Sequence, residues 1–172
     1  TECRRAGSPM YAALITANDQ FQQQLGHQRR SSRNLALLAQ AFEASNSLVD
    51  PAGPDVRDSL EQLIGVVGTT AGARSVQLEI TDEASSDAVG KRVRWEAADG
   101  LDGVIGDMPY HLTEQIRTAG RTIGTLVAGF ASQVDTDSEQ GLYLDLAAEH
   151  LSGLINRLEL VRHLTDSAVE HE

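Results

Sequence analysis

The sequence predicts an α+β domain in which an antiparallel sheet carries the N- and C-terminal helices packed on one face. Three observations point there. Three short segments alternate apolar and polar residues with the period of a strand, and a fourth is apolar on both faces. Apolar residues recur at steps of three and four along extended stretches near both ends of the chain. The last two strand-like segments form a ribbon that feeds directly into a long heptad-patterned helix, the whole running from Tyr110 to about Ala168.

With 172 residues, 41% of them hydrophobic, the chain is long enough for one globular domain with a real core and flanking helices. Its formal net charge of -11 argues against nucleic acid and against direct membrane contact, because phosphate neutralisation would have the wrong sign. The local cluster Arg29, Arg30 and Arg33 does not reverse that. The lone Cys3 offers neither an internal disulfide nor a structural zinc pair, which fits a reducing, cytoplasmic compartment. Nothing approaches the ~18 consecutive apolar residues of a membrane span. The chain starts at Thr1 without an initiator Met or a signal-peptide pattern, so a piece of a longer protein is expected.

Residues 1–9 have no periodicity and read as a disordered lead segment. From Met10, the positions Tyr11, Leu14, Asn18, Phe21, Leu25, Gln28, Ser32, Leu35, Ala39 and Phe42 trace an imperfect heptad seam. Gly26 and Ser31-Ser32 leave open whether this is one helix or two, and the polar seam positions leave open whether it packs on its own domain. Asp50-Pro51-Ala52-Gly53-Pro54 ends it, since proline cannot continue a helix. Pro54 suits the first turn of the next helix, with Asp55 and Asp58 complementing its dipole. Val56, Leu60, Leu63, Ile64 and Val67 give that helix a core stripe over residues 54 to about 71.

The first strand, Arg74 to Thr81, points Val76, Leu78 and Ile80 one way and Ser75, Gln77 and Glu79 the other. A loop (TDEASSDAVG) precedes the second strand, Lys91 to Ala97, in which Val93 and Trp95 oppose Arg92, Arg94 and Glu96. Residues 98–107, with Gly100, Gly103 and Gly106, read as a loop. The ribbon follows. With Ala119-Gly120 as its turn, Ile116 faces Ile123, Glu114 faces Thr125, Leu112 faces Val127 and Tyr110 faces Gly129. That register places Gly124, Leu126 and Ala128 on the side of His111, Thr113 and Gln115. The fourth strand is apolar on both faces and belongs in the middle of the sheet. Thr136 with Glu139 fits a capping box for the last helix. Along that helix Leu144, Ala147, Leu151, Leu154, Leu158, Val161, Thr165 and Ala168 form a stripe, which Leu142, Leu146, Ile155 and Leu160 broaden.

The strand Thr122-Ile123-Gly124-Thr125-Leu126-Val127-Ala128 after a glycine turn, with the acidic start Asp135 to Glu139 ahead of Leu142, Leu146, Ala147 and Leu151, resembles the GAF domains of sensory and signalling proteins. The resemblance covers roughly residues 35–162. It implies a regulatory role, with a ligand usually held on the sheet face opposite the helices. Family members place more chain between the second strand and the ribbon to roof that pocket. Here about ten residues are available, so a reduced or missing roof is expected. Leu160 to Glu172 is similar to the helical lead-in of some sensor histidine kinases, without the phosphoacceptor motif itself.

The chemistry expected is correspondingly sparse. The residue constellation of cyclic-nucleotide-binding GAF domains is absent, Cys3 is poorly placed to attach a bilin, and one cysteine cannot support methionine-sulfoxide reduction. No Ser-His-Asp, Cys-His or phosphate-loop arrangement is present, so no catalytic residue and no metal site are assigned. The Asp99, Asp102 and Asp107 loop lacks calcium-loop spacing. His150 is expected at a helix packing boundary, and His27, His163 and His171 on the surface. The ligand candidates are His111, Thr113, Gln115, Gln77 and Glu79, with His111 as an alternative haem ligand. The organisation expected is a lead segment (1–9), an N-terminal dimerisation helix (10–33), a GAF-like domain (34–162) and the start of an exit coiled coil (163–172). Function is expected to be non-catalytic relay to a downstream effector domain, by a homodimer packed in parallel through Leu14, Phe21, Leu25, Leu151, Leu154, Leu158 and Val161. The alternative is a small-molecule or haem sensor.

Overall fold

The computed structural model of the chain describes residues 9–46, 55–98 and 108–169. Outside them lie the lead segment with Cys3, the Asp50–Pro54 stop, the Asp99–Asp107 loop with the question of a pocket roof, and His171. The chain divides into two compact units, Thr1–Ala36 and Leu37–Glu172.

Helix α1 is continuous from Pro9 to Ser45. In the first unit its side chains are largely exposed, among them Met10, Tyr11, Leu14, Ile15 and Phe21. Leu25 is half-buried. In the second unit Leu38 enters the core, with Ala41 and Phe42 packed against it.

Helix α2 runs over Val56–Ala71. Asp55 caps it from outside, its carboxylate accepting the Arg57 amide at 2.8 Å. Gly72 closes it in a left-handed conformation, φ 69°. Strand β1 is Ser75–Ile80. The segment expected as a loop then forms a short helix, α3, Glu83–Val89. Asp82 caps α3 through the Ser85 amide, and Gly90 ends it with φ 88°. Seven residues are too few for a visible apolar period, so only the caps signal it. Strands β2 (Arg92–Glu96), β3 (Tyr110–Thr118) and β4 (Arg121–Phe130) complete an antiparallel sheet of order β2-β1-β4-β3, with β4 central as expected. Helix α4 spans Glu139–Val169. Its first turn is capped by Ser138, whose hydroxyl accepts the Gly141 amide at 3.2 Å, in place of the Thr136–Glu139 box.

Ala119 (φ 49°) and Gly120 (φ 77°) both have positive φ, as a two-residue hairpin turn whose twist matches the strands requires. The expected register holds for the two pairs beside this turn, Thr118–Arg121 and Arg117–Thr122. Beyond them a β-bulge leaves Ile123 as an extra residue and shifts the pairing by one. Ile116 therefore meets Gly124, Glu114 meets Leu126, Leu112 meets Ala128 and Tyr110 meets Phe130. Because side chains alternate, the shift moves Gly124, Leu126 and Ala128 onto the core face with Leu112 and Ile116. His111, Thr113 and Gln115 pair instead with Gly129, Val127 and Thr125. The gain is apolar burial, since Leu126 and Ala128 are both fully inaccessible to solvent.

The core lies between this face and helices α2 and α4. Trp95 on the edge strand β2 lies against Gly65 and Gly68 of α2, where added Cβ atoms would meet its ring at 2.9 and 2.2 Å. On α4 the buried stripe is Leu144, Ala147, Leu151, Leu154, Ile155 and Leu158. Leu142 and Leu160, expected to broaden that stripe, are instead exposed. Glu114 is half-buried on β3, and burial together with the Asp145 carboxylate of α4 pushes its carboxyl above the usual range.

Gly124 lets β4 approach β1 at the bulge: a Cβ there would stand 2.3 Å from the Glu79 carbonyl oxygen, a backbone atom that cannot step aside. Gly124→Ala should therefore destabilise the domain by ~1–3 kcal/mol, read as a lower urea midpoint; an unchanged midpoint would show that the strands tolerate the methyl.

Candidate functional site

The sheet face turned away from α2 and α4 is built as three cross-strand rows. Glu96, Ser75, Gly129 and His111 align in one; Arg94, Gln77, Val127 and Thr113 in the next; Arg92, Glu79, Thr125 and Gln115 in the third. All five ligand candidates of the sequence, His111, Thr113, Gln115, Gln77 and Glu79, thus share one face. The bulge brings this about, because without it Leu126 and Ala128 would stand between β3 and β1. Arg92 pairs with Glu79 at 3.0 Å, and Arg94 contacts Glu96. Gln115 accepts from the Arg117 Nε at 3.0 Å. These surface pairs contribute little to stability.

Met108 lies against Gly129, where a Cβ would meet its side chain and the Ser75 hydroxyl oxygen, each at 2.8 Å. Ser75 is 1% exposed, and its hydroxyl has no hydrogen-bond partner among the described residues. His111 is exposed. With Arg and Glu on two of the four strands, the described residues of this face give a haem ring no apolar slot, so the donor set does not fit that cofactor. Among the described residues no three His, Cys, Asp or Glu side chains converge as a metal-binding group.

A second cluster, which sequence spacing does not reveal, joins the end of α1 to α4. The Ser45 hydroxyl donates to the Phe42 carbonyl at 2.8 Å and lies 2.6 Å from His150 Nε2. Which of the two donates in that contact is set by the imidazole tautomer. The His150 ring stacks on Phe42 with centroids 4.3 Å apart and planes at 12°. Beyond it on α4, Arg157 donates to the Asn46 side-chain oxygen at 2.7 Å. The pair Ser45–His150 has the atoms of a nucleophile and a base, but Ser45 is buried where α1 meets α4. It acts as a packing joint, the role expected for His150.

Of the seam residues predicted on α4, most are covered. Leu151, Leu154 and Leu158 lie in the domain's own core, and Val161 is half-buried. Among the side chains of α4, Leu142, Leu160, Leu164 and Val169 are the large apolar groups left exposed. No described helix is long and apolar enough to cross a membrane.

Taken together, the sheet order, the paired helices on one face and the polar opposite face make this a GAF-like fold. It is similar to the crystal structure of the GAF domain from an Acinetobacter phosphoenolpyruvate-protein phosphotransferase, at 16% identity and a TM-score of 0.52, over 75% of this chain and 96% of that one. No protein-family model matches the chain, and no curated protein matches it significantly.

Burial, and secondarily the nearby Arg157 charge, hold the His150 imidazole below its ordinary pKa of about 6.5. The unfolded chain therefore takes up this proton first, so the joint's full stability is present above that value and is lost as pH falls through it. Thermal midpoints should drop between pH 8 and pH 5.5, and His150→Gln should flatten that part of the profile; parallel profiles for the two proteins would contradict this.

Proposed function

We propose that the chain is a non-catalytic regulatory domain of a cytoplasmic signalling protein, which associates with a second copy through its helices and relays conformational change to an effector domain in the same chain. The likeness of Leu160–Glu172 to a kinase lead-in makes a histidine kinase the effector proposed. The observation that carries this reading is the apolar surface left on the helices. On α1, Leu14 and Phe21 are 61% and 57% exposed; on α4, Leu160 and Leu164 are 59% and 64% exposed. A helix without packing partners is marginal in water, and rows of large exposed apolar side chains mark sites of association. On α1 the contact residues are Leu14, Phe21 and Leu25. On α4 they are the exposed leucines, because Leu151, Leu154 and Leu158 are already buried within one copy. Packed helices switch between discrete arrangements, which suits them to relay. By sedimentation the chain should be dimeric at high micromolar concentration, and Phe21→Glu or Leu160→Glu should shift it toward monomer without changing its helix content. A chain that stays monomeric with its helices intact would sink the proposal.

A second reading, a small-molecule sensor, is favoured by the gathering of His111, Thr113, Gln115, Gln77 and Glu79 over the buried Ser75 hydroxyl. Polar groups converging on a sheet face are suited to a small polar ligand. A panel of nucleotides, amino acids and organic acids should then yield at least one that raises the thermal midpoint by several degrees, with the rise lost in Gln77→Ala. A panel without any shift would rule this reading out.

A further inference from the structure

The exposed face of α4 has an internal symmetry. Its centre is Gly153, where an added Cβ would find nothing within 4 Å. Leu146 and Leu160 lie seven residues to either side, and Leu142 and Leu164 eleven. At 100° per residue all five fall within a stripe about 40° wide, on the side of the helix away from the buried Leu144, Leu151 and Leu158. Leu142 is 48% exposed, and Leu146 is half-buried. Four residues to either side of Gly153 stand Glu149 and Arg157, both exposed and of opposite charge.

An interface between two identical copies related by a two-fold axis must be self-complementary, so that if residue i meets j, then j meets i. Run against itself in reverse about Gly153, this face meets that condition: Leu142 falls against Leu164, Leu146 against Leu160, and Glu149 against Arg157, each twice. The glycine admits a close crossing where the backbones come nearest. The single bond from Arg157 to Asn46 leaves other guanidinium donors to reach a carboxylate. Run in parallel, the same face sets Glu149 level with Glu149 and Arg157 level with Arg157, with the opposite charges roughly 12 Å apart along the axis.

We propose that α4 pairs with α4 of a second copy in antiparallel order, crossing at Gly153. This rests on the reading that the chain associates through its helices, and it specifies the seam and the direction. The two exit ends of α4 then point in opposite directions.

The test uses the full chain with Cys3→Ser, carrying either Leu142→Cys or Leu164→Cys, oxidised alone and as an equimolar mixture. In antiparallel order the thiol introduced by Leu142→Cys in one copy meets the thiol introduced by Leu164→Cys in the other, whereas identical positions lie roughly 33 Å apart. Disulfide dimers should therefore form in the mixture, containing one copy of each variant, and be nearly absent from either variant alone. Efficient cross-linking of each variant with itself would establish parallel pairing and overturn the proposal while leaving association through the helices standing. No cross-link in any sample, with the parent chain still dimeric by sedimentation, would place the interface elsewhere and overturn it too. A monomeric parent chain would overturn both readings. Gly153→Glu, at a position where an added Cβ meets nothing within one copy, should leave the fold intact and abolish the cross-link.

Discussion

Beyond the Ala119-Gly120 turn, one extra residue in β4 decides which side chains the domain buries. Strand alternation is strict, so a slip of one residue exchanges the two faces of everything that follows. The bulge at Ile123 aligns Leu126 and Ala128 with Leu112 and Ile116 against the helices, and with Val76 and Leu78 of β1. Gly124 makes the shift sterically possible, because the Glu79 carbonyl occupies the space a side chain would need. The composition of the polar face follows from this, since the same shift gathers His111, Thr113 and Gln115 with Gln77 and Glu79.

The helices respond to the core so defined in different ways. Helix α2 carries glycines where Trp95 crosses it, so a wide ring from an edge strand fits beneath the helix. Helix α4 gives its widest stripe to the sheet. Its contact with the end of α1 is polar and specific: a stacked imidazole, a hydroxyl with its proton directed to a carbonyl, and a guanidinium on an amide oxygen. Such a joint is sensitive to geometry and to charge in a way that aliphatic packing is not. It links the helix that enters the second unit to the last helix of that unit.

The polar face and the apolar helix surfaces support different kinds of activity. The former has charged and amide groups set out in register, with neighbours already paired, as in Arg92–Glu79 and Arg117–Gln115. The latter offers exposed leucines whose burial is favourable at ~25 cal/mol per Å². Burial of that kind needs a second surface, which is why the helices, more than the sheet, direct the functional proposal.

The elements themselves were legible in the sequence: the α+β class, four strands, the central place of β4, the hairpin turn and both terminal helices follow from local periodicity and turn chemistry. Strand alternation also grouped Gln77 with Glu79, and His111 with Thr113 and Gln115, but only the bulge sets the two groups on one face. The short helix α3 was not legible, as its only marks are its caps. The bulge was not, because a symmetric count outward from the turn gives no sign of where burial of Leu126 outweighs an intact ladder. Nor was the division of α4 into a buried side and an exposed one. Its leucines occur all around the helix, and only the position of the sheet decides that Leu151, Leu154 and Leu158 are covered while Leu142, Leu160 and Leu164 remain at the surface.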